Sequence, residues 1–415
     1  MRVLYDVSSL GFGFQAGVGR AGIFRVCDRF VREVLTRPEL WPTFASLPSY
    51  WGQVQVARYD RSADGMLGED LVAAWDHSAT TLQESIDLVD RIVRLGEASP
   101  EGKKAMAAMM LLNRTAREVP LPDRYDIYHS LCHPLAPPGR VRAGARLLLV
   151  HDLVPFLFPE LCMESFAPAL AEIIASVDLD RDWVVCNSEC TRRDFCERTS
   201  MDPERVFVTP LAADNEVFYP ERDPERIAST LEKYRIPDHP YVLSLCTIEP
   251  RKNLAHLIRC FFALASEQSC EDLRLVLVGA TGWQSEEVFD TLKANPALER
   301  RVILTGQVPD ADLSALYGGA KLFVYPSLYE GFGLPVLEAM QCGVPVIASN
   351  AGALPEVVGE AGILIDPHDA DALCQAILDV LHNPRLASDG LARAQEFSWQ
   401  RTVDLTTAAY RTMLA

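Results

Sequence analysis

Short apolar runs rich in Val, Leu, Ile and Tyr alternate along the chain with longer segments whose apolar residues recur at helical spacing, as in Leu254–Glu267. Short apolar runs of this composition are typical of buried strands, and the helical spacing is typical of amphipathic helices. Strands that alternate with helices are typical of an α/β chain with parallel sheets. The pattern predicts two series of strands: Arg2–Val7, Arg146–Val150, Trp183–Cys186 and Arg205–Thr209, then Tyr241–Thr247, Leu273–Val278, Val302–Thr305, Lys321–Tyr325, Val344–Ala348 and Gly362–Ile365.

A polar segment separates the two series. Residues Asp214–Pro240 are rich in Pro, Asp, Glu and Arg, which is typical of a linker with one or two helical turns. We therefore expect two doubly wound, Rossmann-like domains, with a ligand in the crevice at the carboxyl ends of the strands. The predicted divisions are 1–212, a linker over 213–240, a second domain over 241–396 and a last segment over 397–415.

Composition and charge narrow the possible functions. The 415 residues are 49% hydrophobic and 23% charged, as in a soluble multidomain protein. The net charge is −18, with 23 Lys and Arg against 29 Asp and Glu in residues 1–212, and 16 against 28 in residues 213–415. Nucleic-acid binding depends on basic side chains, so neither half fits it. A bound phosphate group would need a local site.

Cysteine usage and the absence of long apolar runs indicate a compartment. The 11 cysteines include no Cys-x-x-Cys pair, which fits a reducing cytosol. No apolar run is long enough for a membrane-spanning helix, and the first residues lack the apolar core of a secretory signal. We expect a cytoplasmic protein that is at most peripheral at the inner face of a membrane.

The segment Glu101–Val119 allows two interpretations. It has the spacing of an amphipathic helix, and its apolar and basic positions are Met106, Met109, Met110 and Leu112, with Lys103, Lys104, Arg114 and Arg117. One interpretation is a helix that contacts a membrane surface or an acceptor. The other is a helix whose methionines fill a core. We favour the core helix.

One Gly-x-Gly-x-x-Gly pattern occurs, at Gly17, Gly19 and Gly22. A dinucleotide fingerprint has its first glycine directly after a strand. Here the strand ends near Val7, about ten residues before the first glycine. A glycine-rich loop before a helix that begins near Ile23 fits better than an NAD site.

Two cations are placed where an anion could bind. Arg251 and Lys252 follow a predicted strand and precede a predicted helix, so we expect them at a helix N-terminus. The helix dipole, unpaired N–H groups and cations all favour a bound anion there. The alternative is a solvated helix cap.

A glycine loop with two carboxylates follows later in the chain, at Tyr329–Glu338. Gly331 and Gly333 permit close approach of the backbone to a ligand. Glu330 and Glu338 can accept hydrogen bonds from paired hydroxyls, which suits a sugar-like ligand. We expect Glu338 in the first turn of a helix, where it could instead be a favourable charge at the dipole.

A metal site is the less favoured interpretation of His129, Cys132 and His133. No further set at ligand spacing accompanies them, so we expect a loop after the strand-like Asp126–Tyr128. Ser188 fits a helix N-cap better than a nucleophile.

Together these residues resemble the donor domain of retaining glycosyltransferases of the GT-B fold, family 4. The resemblance is specific in the second domain and looser in the first. It implies that the last helix crosses back to the first domain. It rests on Thr247–Asn253, Leu275–Gly279, Asp312–Pro326, the Glu-x7-Glu of Glu330 and Glu338, and Val344–Glu356, with residues 21–25, His151–Pro155 and Phe397–Trp399 in support.

The resemblance implies roles for individual residues. Lys252 and Arg251 would bind the diphosphate of a nucleotide sugar, Glu330 the sugar hydroxyls and Glu338 the ribose. The remaining implied site residues are Gly331, Phe332, Gly333 and Leu334, which present N–H groups, Val308 near the base, His151 facing the donor sugar, and Gly22 in the first-domain loop. Two positions depart from the family pattern: Cys246 replaces an Arg, and Phe24 is bulkier than usual.

The implied function is hexosyl transfer with retention by front-face attack, with the first domain on the acceptor side and without a metal or cofactor. The closest likeness is to bacterial mannosyl- or rhamnosyltransferases of surface-polysaccharide assembly, so GDP-mannose is the favoured donor and a glycan or lipid-linked glycan the acceptor. The alternatives are a GT-B-like sugar-nucleotide epimerase or hydrolase, and a catalytically silent sugar-nucleotide-binding scaffold. The sequence does not define the oligomeric state.

Overall fold

The computed structural model describes residues 1–15, 22–76, 79–96, 99–121, 124–266, 270–383 and 389–415. Its strands are β1 Arg2–Asp6, β2 Trp41–Ala45, β3 Arg124–Ser130, β4 Arg142–Val150, β5 Trp183–Cys186, β6 Val206–Val208, β7 Tyr241–Leu245, β8 Arg274–Val278, β9 Val302–Gly306, β10 Leu322–Tyr325, β11 Val346–Ser349 and β12 Ile363–Ile365.

The α-helices follow between these strands. In the first half they are α1 Ser8–Gln15, α2 Ile23–Leu35, α3 Tyr50–Ser62, α4 Ala79–Leu95, α5 Pro100–Thr115, α6 Val154–Leu157, α7 Phe166–Ala175 and α8 Glu189–Thr199. In the second half they are α9 Pro224–Lys233, α10 Leu254–Ala265, α11 Glu286–Lys293, α12 Pro296–Glu299, α13 Asp310–Gly319, α14 Leu334–Gln341, α15 Leu354–Val358, α16 Ala370–His382, α17 Gly390–Ala394 and α18 Trp399–Leu414.

The strands form two six-stranded sheets, as predicted for an α/β chain with two doubly wound units. The first sheet has the order β2-β1-β3-β4-β5-β6 and the second β12-β11-β10-β7-β8-β9. Neighbouring strands are parallel throughout, for example β10 beside β7. In each sheet the strand order reverses next to the first strand of the series, between β1 and β3 and between β7 and β10. Ligands bind at such reversal points in open α/β sheets.

The sequence pattern did not predict one strand of the first sheet and predicted another only in part. Strand β2 was not predicted, because it begins with the exposed Trp41 and with Pro42, which fit only an edge position. Strand β3 was recognised over Asp126–Tyr128 alone, and it extends to Ser130. His129 therefore lies in a buried strand, and its assignment to a following loop was wrong.

The helices of the connecting segments differ in length from those expected. Helix α9 has ten residues, about three turns, where one or two turns were predicted for the linker. Helix α5 ends at Thr115 instead of Val119. Helices α3, α4 and α5 bury a small apolar cluster of their own, which includes Tyr50, Ile86 and Met109. These three helices, which lie between β2 and β3 in the sequence, therefore have a small hydrophobic core of their own.

The last helix, α18, packs against the first sheet through a buried polar network. The Tyr410 hydroxyl lies 2.7 Å from His129 Nδ1 and donates a hydrogen bond to the Tyr5 hydroxyl at 3.3 Å. Thr402 donates to the Pro210 carbonyl at 2.6 Å. Burial lowers the pKa of His129 to about 3, so its ring is neutral. The network ties the chain's last helix to β1 and β3.

We expect Tyr410→Phe to lower the free energy of unfolding by about 1–3 kcal/mol, because it leaves a buried ring nitrogen of His129 without its partner. Urea unfolding of the whole chain measures this. The neighbouring exposed Arg411→Ala is the control and should change stability by less than about 0.5 kcal/mol. Equal unfolding midpoints for the Tyr410 variant and the wild type would show that the network does not hold α18.

Candidate functional site

A cleft of about 420 Å³ lies between the two sheets and is lined by residues of both halves. Its floor follows β7 and β10, the two strands at the reversal point of the second sheet. All eleven sequence-predicted site residues line it: Gly22, His151, Arg251, Lys252, Val308, Glu330, Gly331, Phe332, Gly333, Leu334 and Glu338. The fold thus brings together residues that are up to 316 positions apart in the sequence.

Glu330 is the centre of the charged part of the cleft. It follows β10, and its side chain is almost completely buried. Its Oε1 accepts hydrogen bonds from Lys252 Nζ at 2.6 Å, Ser327 Oγ at 2.6 Å and the Tyr325 hydroxyl at 3.0 Å. Its Oε2 lies 2.5 Å from Arg251 Nη1. One carboxylate therefore holds both cations that the sequence singled out.

The electrostatics of this cluster fix the charge of Glu330. Burial alone would raise the pKa of its carboxyl, but Arg251 and Lys252 outweigh burial and lower the pKa to about 2. Glu249 also pairs with Arg251, at 2.7 Å, and burial raises its pKa. Glu330 is consequently ionised at neutral pH.

The two cations directly precede α10, as expected, and the N-cap Asn253 separates them from its first residue, Leu254. They belong to a separate 3-10 turn, Pro250–Lys252. Asn253 follows with a φ of 57°, and its side chain donates to the Pro367 carbonyl at 2.7 Å. Asn is one of the few residues that adopt this left-handed conformation readily. Arg251 and Lys252 therefore place positive charge just ahead of the start of α10.

The glycine loop is pressed against the first half of the chain. A Cβ at Gly331 would lie 2.4 Å from the His151 carbonyl oxygen, so no larger residue fits. The Gly331 carbonyl accepts hydrogen bonds from Ser188 Oγ at 2.7 Å and Thr191 Oγ1 at 3.2 Å. Ser188 also caps α8, as its sequence context predicted. The loop is positioned by both halves at once.

Gly333 and Leu334 lead from this loop into α14. Gly333 has a φ of 113°, a conformation that L side chains rarely adopt. A Cβ there would also lie 2.5 Å from Leu354 Cδ2. The helix begins at Leu334 with Pro335 in its first turn, where proline is favoured.

His151 contributes a neutral ring on the opposite wall. Its Nε2 lies 2.9 Å from the Leu131 carbonyl oxygen, which can only accept, so Nε2 carries the proton. Burial lowers the pKa of the ring. Asn187, directly after β5, donates through Nδ2 to the His151 carbonyl at 2.9 Å, and its buried Oδ1 has no hydrogen-bond partner among the residues that the structure describes. Asn187 was not among the predicted site residues, although its place at a strand end was a signal.

Glu338 was expected in the first turn of a helix, and this expectation was wrong. It is the fifth residue of α14, so a charge at the helix dipole does not explain it. Its Oε1 lies 2.7 Å from Arg25 Nη1, and Arg25 Nη2 lies 2.8 Å from Asp310 Oδ1. Burial raises the pKa of Glu338 although Arg25 opposes this. An ion pair between α2 and α14 therefore crosses the cleft.

The remaining predicted positions frame the cleft. Gly22 precedes α2 with a φ of 60°, and Val308 follows β9. Cys246, at the position where the resemblance would place an Arg, is buried, and burial raises the pKa of its thiol to about 12, so it stays neutral. Gly17 and Gly19 lie outside the described residues.

Neither metal ligation nor membrane spanning finds support within the described ranges. There, no three or more His, Cys, Asp or Glu side chains are grouped so that they could hold a metal ion. None of the helices described is both long enough and apolar enough to cross a membrane.

Comparison with known proteins gives a consistent family. Residues 227–396 match the family described as Glycosyl transferases group 1. Over 269 residues the chain is 36% identical to O-antigen chain mannosyltransferase B of Escherichia coli, covering 63% of this chain and 68% of the relative. It is 31% identical over 296 residues to the serotype-specific mannosyltransferase WbdA of Escherichia coli, covering 69% of this chain and 36% of that one.

A solved structure matches across the whole length. The Anabaena protein Alr3699/HepE, crystallised with UDP and glucose, is 18% identical, and the match covers 99% of both chains with a TM-score of 0.65. At this identity the likeness concerns the fold, which is the two-domain GT-B architecture. By its sequence relatives, the chain belongs to the glycosyl transferases group 1 family and is a glycosyltransferase of the GT-B fold.

Proposed function

We propose that this glycosyltransferase transfers mannose from GDP-mannose, with retention of anomeric configuration, to a growing surface polysaccharide of the O-antigen kind. The names of the two Escherichia coli relatives support the sugar and the pathway class. The observation that carries the proposal is the buried cluster of Glu330, Lys252 and Arg251 at the reversal point of the second sheet.

Donor binding follows from the charges of this cluster. Lys252 and Arg251 share Glu330, so their remaining N–H groups can turn toward the diphosphate. Glu330, which stays ionised, accepts hydrogen bonds from the sugar hydroxyls, and Glu338 from the ribose. Arg25 forms an ion pair with Glu338 in this structure, so it has to share or leave that carboxylate when the ribose binds.

The chemistry is a substitution at the anomeric carbon. The bond from this carbon to the diphosphate oxygen breaks, and the electron pair leaves with the diphosphate. The two cations stabilise the departing anion, as preorganised charges do in a cleft that excludes water. The acceptor hydroxyl oxygen bonds to the same face of the carbon, and its proton passes to the leaving phosphate. No metal ion takes part in this proposal.

A carboxylate nucleophile would be needed for the other retaining route, double displacement. Within the described lining of the cleft, Asp152 is the carboxylate contributed by the first half. Its Oδ1 accepts a hydrogen bond from the Val154 backbone N–H at 3.0 Å. That bond gives Asp152 a structural role in the His151–Pro155 loop, which favours front-face attack.

Calorimetric titration of GDP, UDP and ADP tests the donor site. GDP is expected to bind at micromolar strength, with UDP and ADP at least about tenfold weaker, a difference of about 1.4 kcal/mol. Lys252→Ala should lower the affinity for GDP by a similar factor, because it removes a cation that binds the diphosphate. The exposed Lys321→Ala is the matched control. If none of the three nucleotides binds, the donor-site assignment is refuted, whereas GDP binding without any turnover would favour the catalytically silent scaffold.

Transfer assays with GDP-mannose and a mannan oligosaccharide test the catalytic cluster. Lys252→Ala and the isosteric Glu330→Gln should each lower turnover by about 100-fold or more, as loss of a group that stabilises the transition state does. Circular dichroism checks that each variant is folded. Normal turnover in either variant would refute the assignment of the cluster. Product formed from donor and water alone would instead favour the hydrolase or epimerase.

The route of retention has its own test. NMR of the first-formed product should show the anomeric configuration of the donor. Asp152→Asn should keep turnover within about tenfold of the wild type, because front-face attack needs no nucleophile there. A loss as large as that of Glu330→Gln, or an inverted product, would contradict the front-face route.

A further inference from the structure

Helix α5 is apolar on all sides in its middle section, yet it lies at the surface. Residues Ala105–Leu112 include no polar side chain. Ala105 and Met109 are buried in the cluster that α5 shares with α3 and α4, as the core interpretation predicted. Met110 and Leu111 face the other way and are 58% and 63% exposed, which the core interpretation did not foresee. A helix that is apolar all round is normally covered all round.

The exposed side of α5 is one continuous face. Lys103, Ala107, Met110 and Arg114 follow one another at spacings of four, three and four residues, which places them in a single row along a helix. Lys104 and Leu111 adjoin this row. All six residues are exposed, and we call them the outer face of α5. The face carries three cations and no carboxylate.

The surroundings of this face are basic in an acidic protein. Residues 91–117 contain six Lys and Arg against two Glu, a net charge of +4, while the rest of the chain carries −22. Lys103, Lys104 and Arg114 form no ion pair with any other residue in the part of the chain that the structure describes. Their charge is therefore available to a partner.

The end of α4 extends the same kind of surface. Helix α4 ends at Leu95, close in sequence to the start of α5 at Pro100. Its last turn exposes Val93 and Leu95 together with Arg91 and Arg94. Exposed aliphatic side chains again stand beside cations.

We propose that the outer face of α5, with the end of α4, docks the enzyme on an anionic lipid bilayer. Aliphatic side chains flanked by lysine and arginine fit the boundary between headgroups and acyl chains, where the cations meet lipid phosphates. A second copy of this chain is the competing partner, because the chain outside residues 91–117 carries a net charge of −22. The docking surface belongs to the first half and requires no particular sugar donor.

The test is co-sedimentation of the full chain with vesicles of phosphatidylcholine alone or mixed with phosphatidylglycerol. The wild type should bind the mixed vesicles, and added salt should weaken binding, because salt screens the contact between cations and lipid. The double variants Met110→Ser with Leu111→Ser, and Lys103→Glu with Lys104→Glu, should each lower the partition coefficient at least about tenfold. The control variant is Leu405→Ser with Lys293→Glu, which makes the same kinds of change at exposed positions elsewhere.

Three results would overturn the proposal. They are failure of the wild type to bind the mixed vesicles, binding by the α5 variants equal to that of the control, and a wild-type dimer that the Met110 and Leu111 variant converts to monomer in analytical ultracentrifugation. GDP titration of each variant keeps this test separate from the proposed activity. Unchanged GDP affinity with lost vesicle binding supports docking, whereas a wild type that binds vesicles but no nucleotide refutes only the donor assignment.

Discussion

Glu330 carries a full negative charge in a place largely closed to water, and the geometry of the cleft follows from how that charge is compensated. Moving a carboxylate and two cations out of water has a high desolvation cost, which only close pairing and further hydrogen bonds offset. Tyr325 and Ser327 supply those hydrogen bonds. Because these terms nearly cancel, such a buried cluster need not stabilise the folded state. Its effect here is to hold two cations in fixed positions before any ligand arrives.

The same residue links the charge cluster to the contact between the two sheets. Gly331, the next residue, touches the His151 carbonyl on one side and accepts hydrogen bonds from the start of α8 on the other. Glu356 of the second half accepts hydrogen bonds from the first backbone N–H groups of α8, at 2.8 and 2.7 Å. A shift between the two sheets would therefore disturb the loop that holds the charges. Catalytic geometry and the relative position of the sheets are coupled through this loop.

The parts that sequence reasoning predicted are those in which local pattern and tertiary role agree. Most strands of the second sheet are buried and rich in Val, Leu and Ile, so the sequence pattern identifies them, and the loops after them carry the charged residues. The features that it did not predict depend on distant partners. Asn253 turns left-handed because distant carbonyls fix its amide, and Glu338 faces Arg25 from the other half. Strand β2 is an edge strand made visible by its pairing with β1.

The polar network around Tyr410 has a consequence for how the protein is made. Tyr410 and Tyr5 are separated by 405 positions and meet in one hydrogen bond. On a ribosome the first sheet emerges early, but the helix that covers it emerges after the whole second sheet has been synthesised. Domains generally fold as units during synthesis, and an uncovered face exposes apolar surface until its partner arrives. This face of the first sheet therefore stays uncovered until the second sheet has been synthesised.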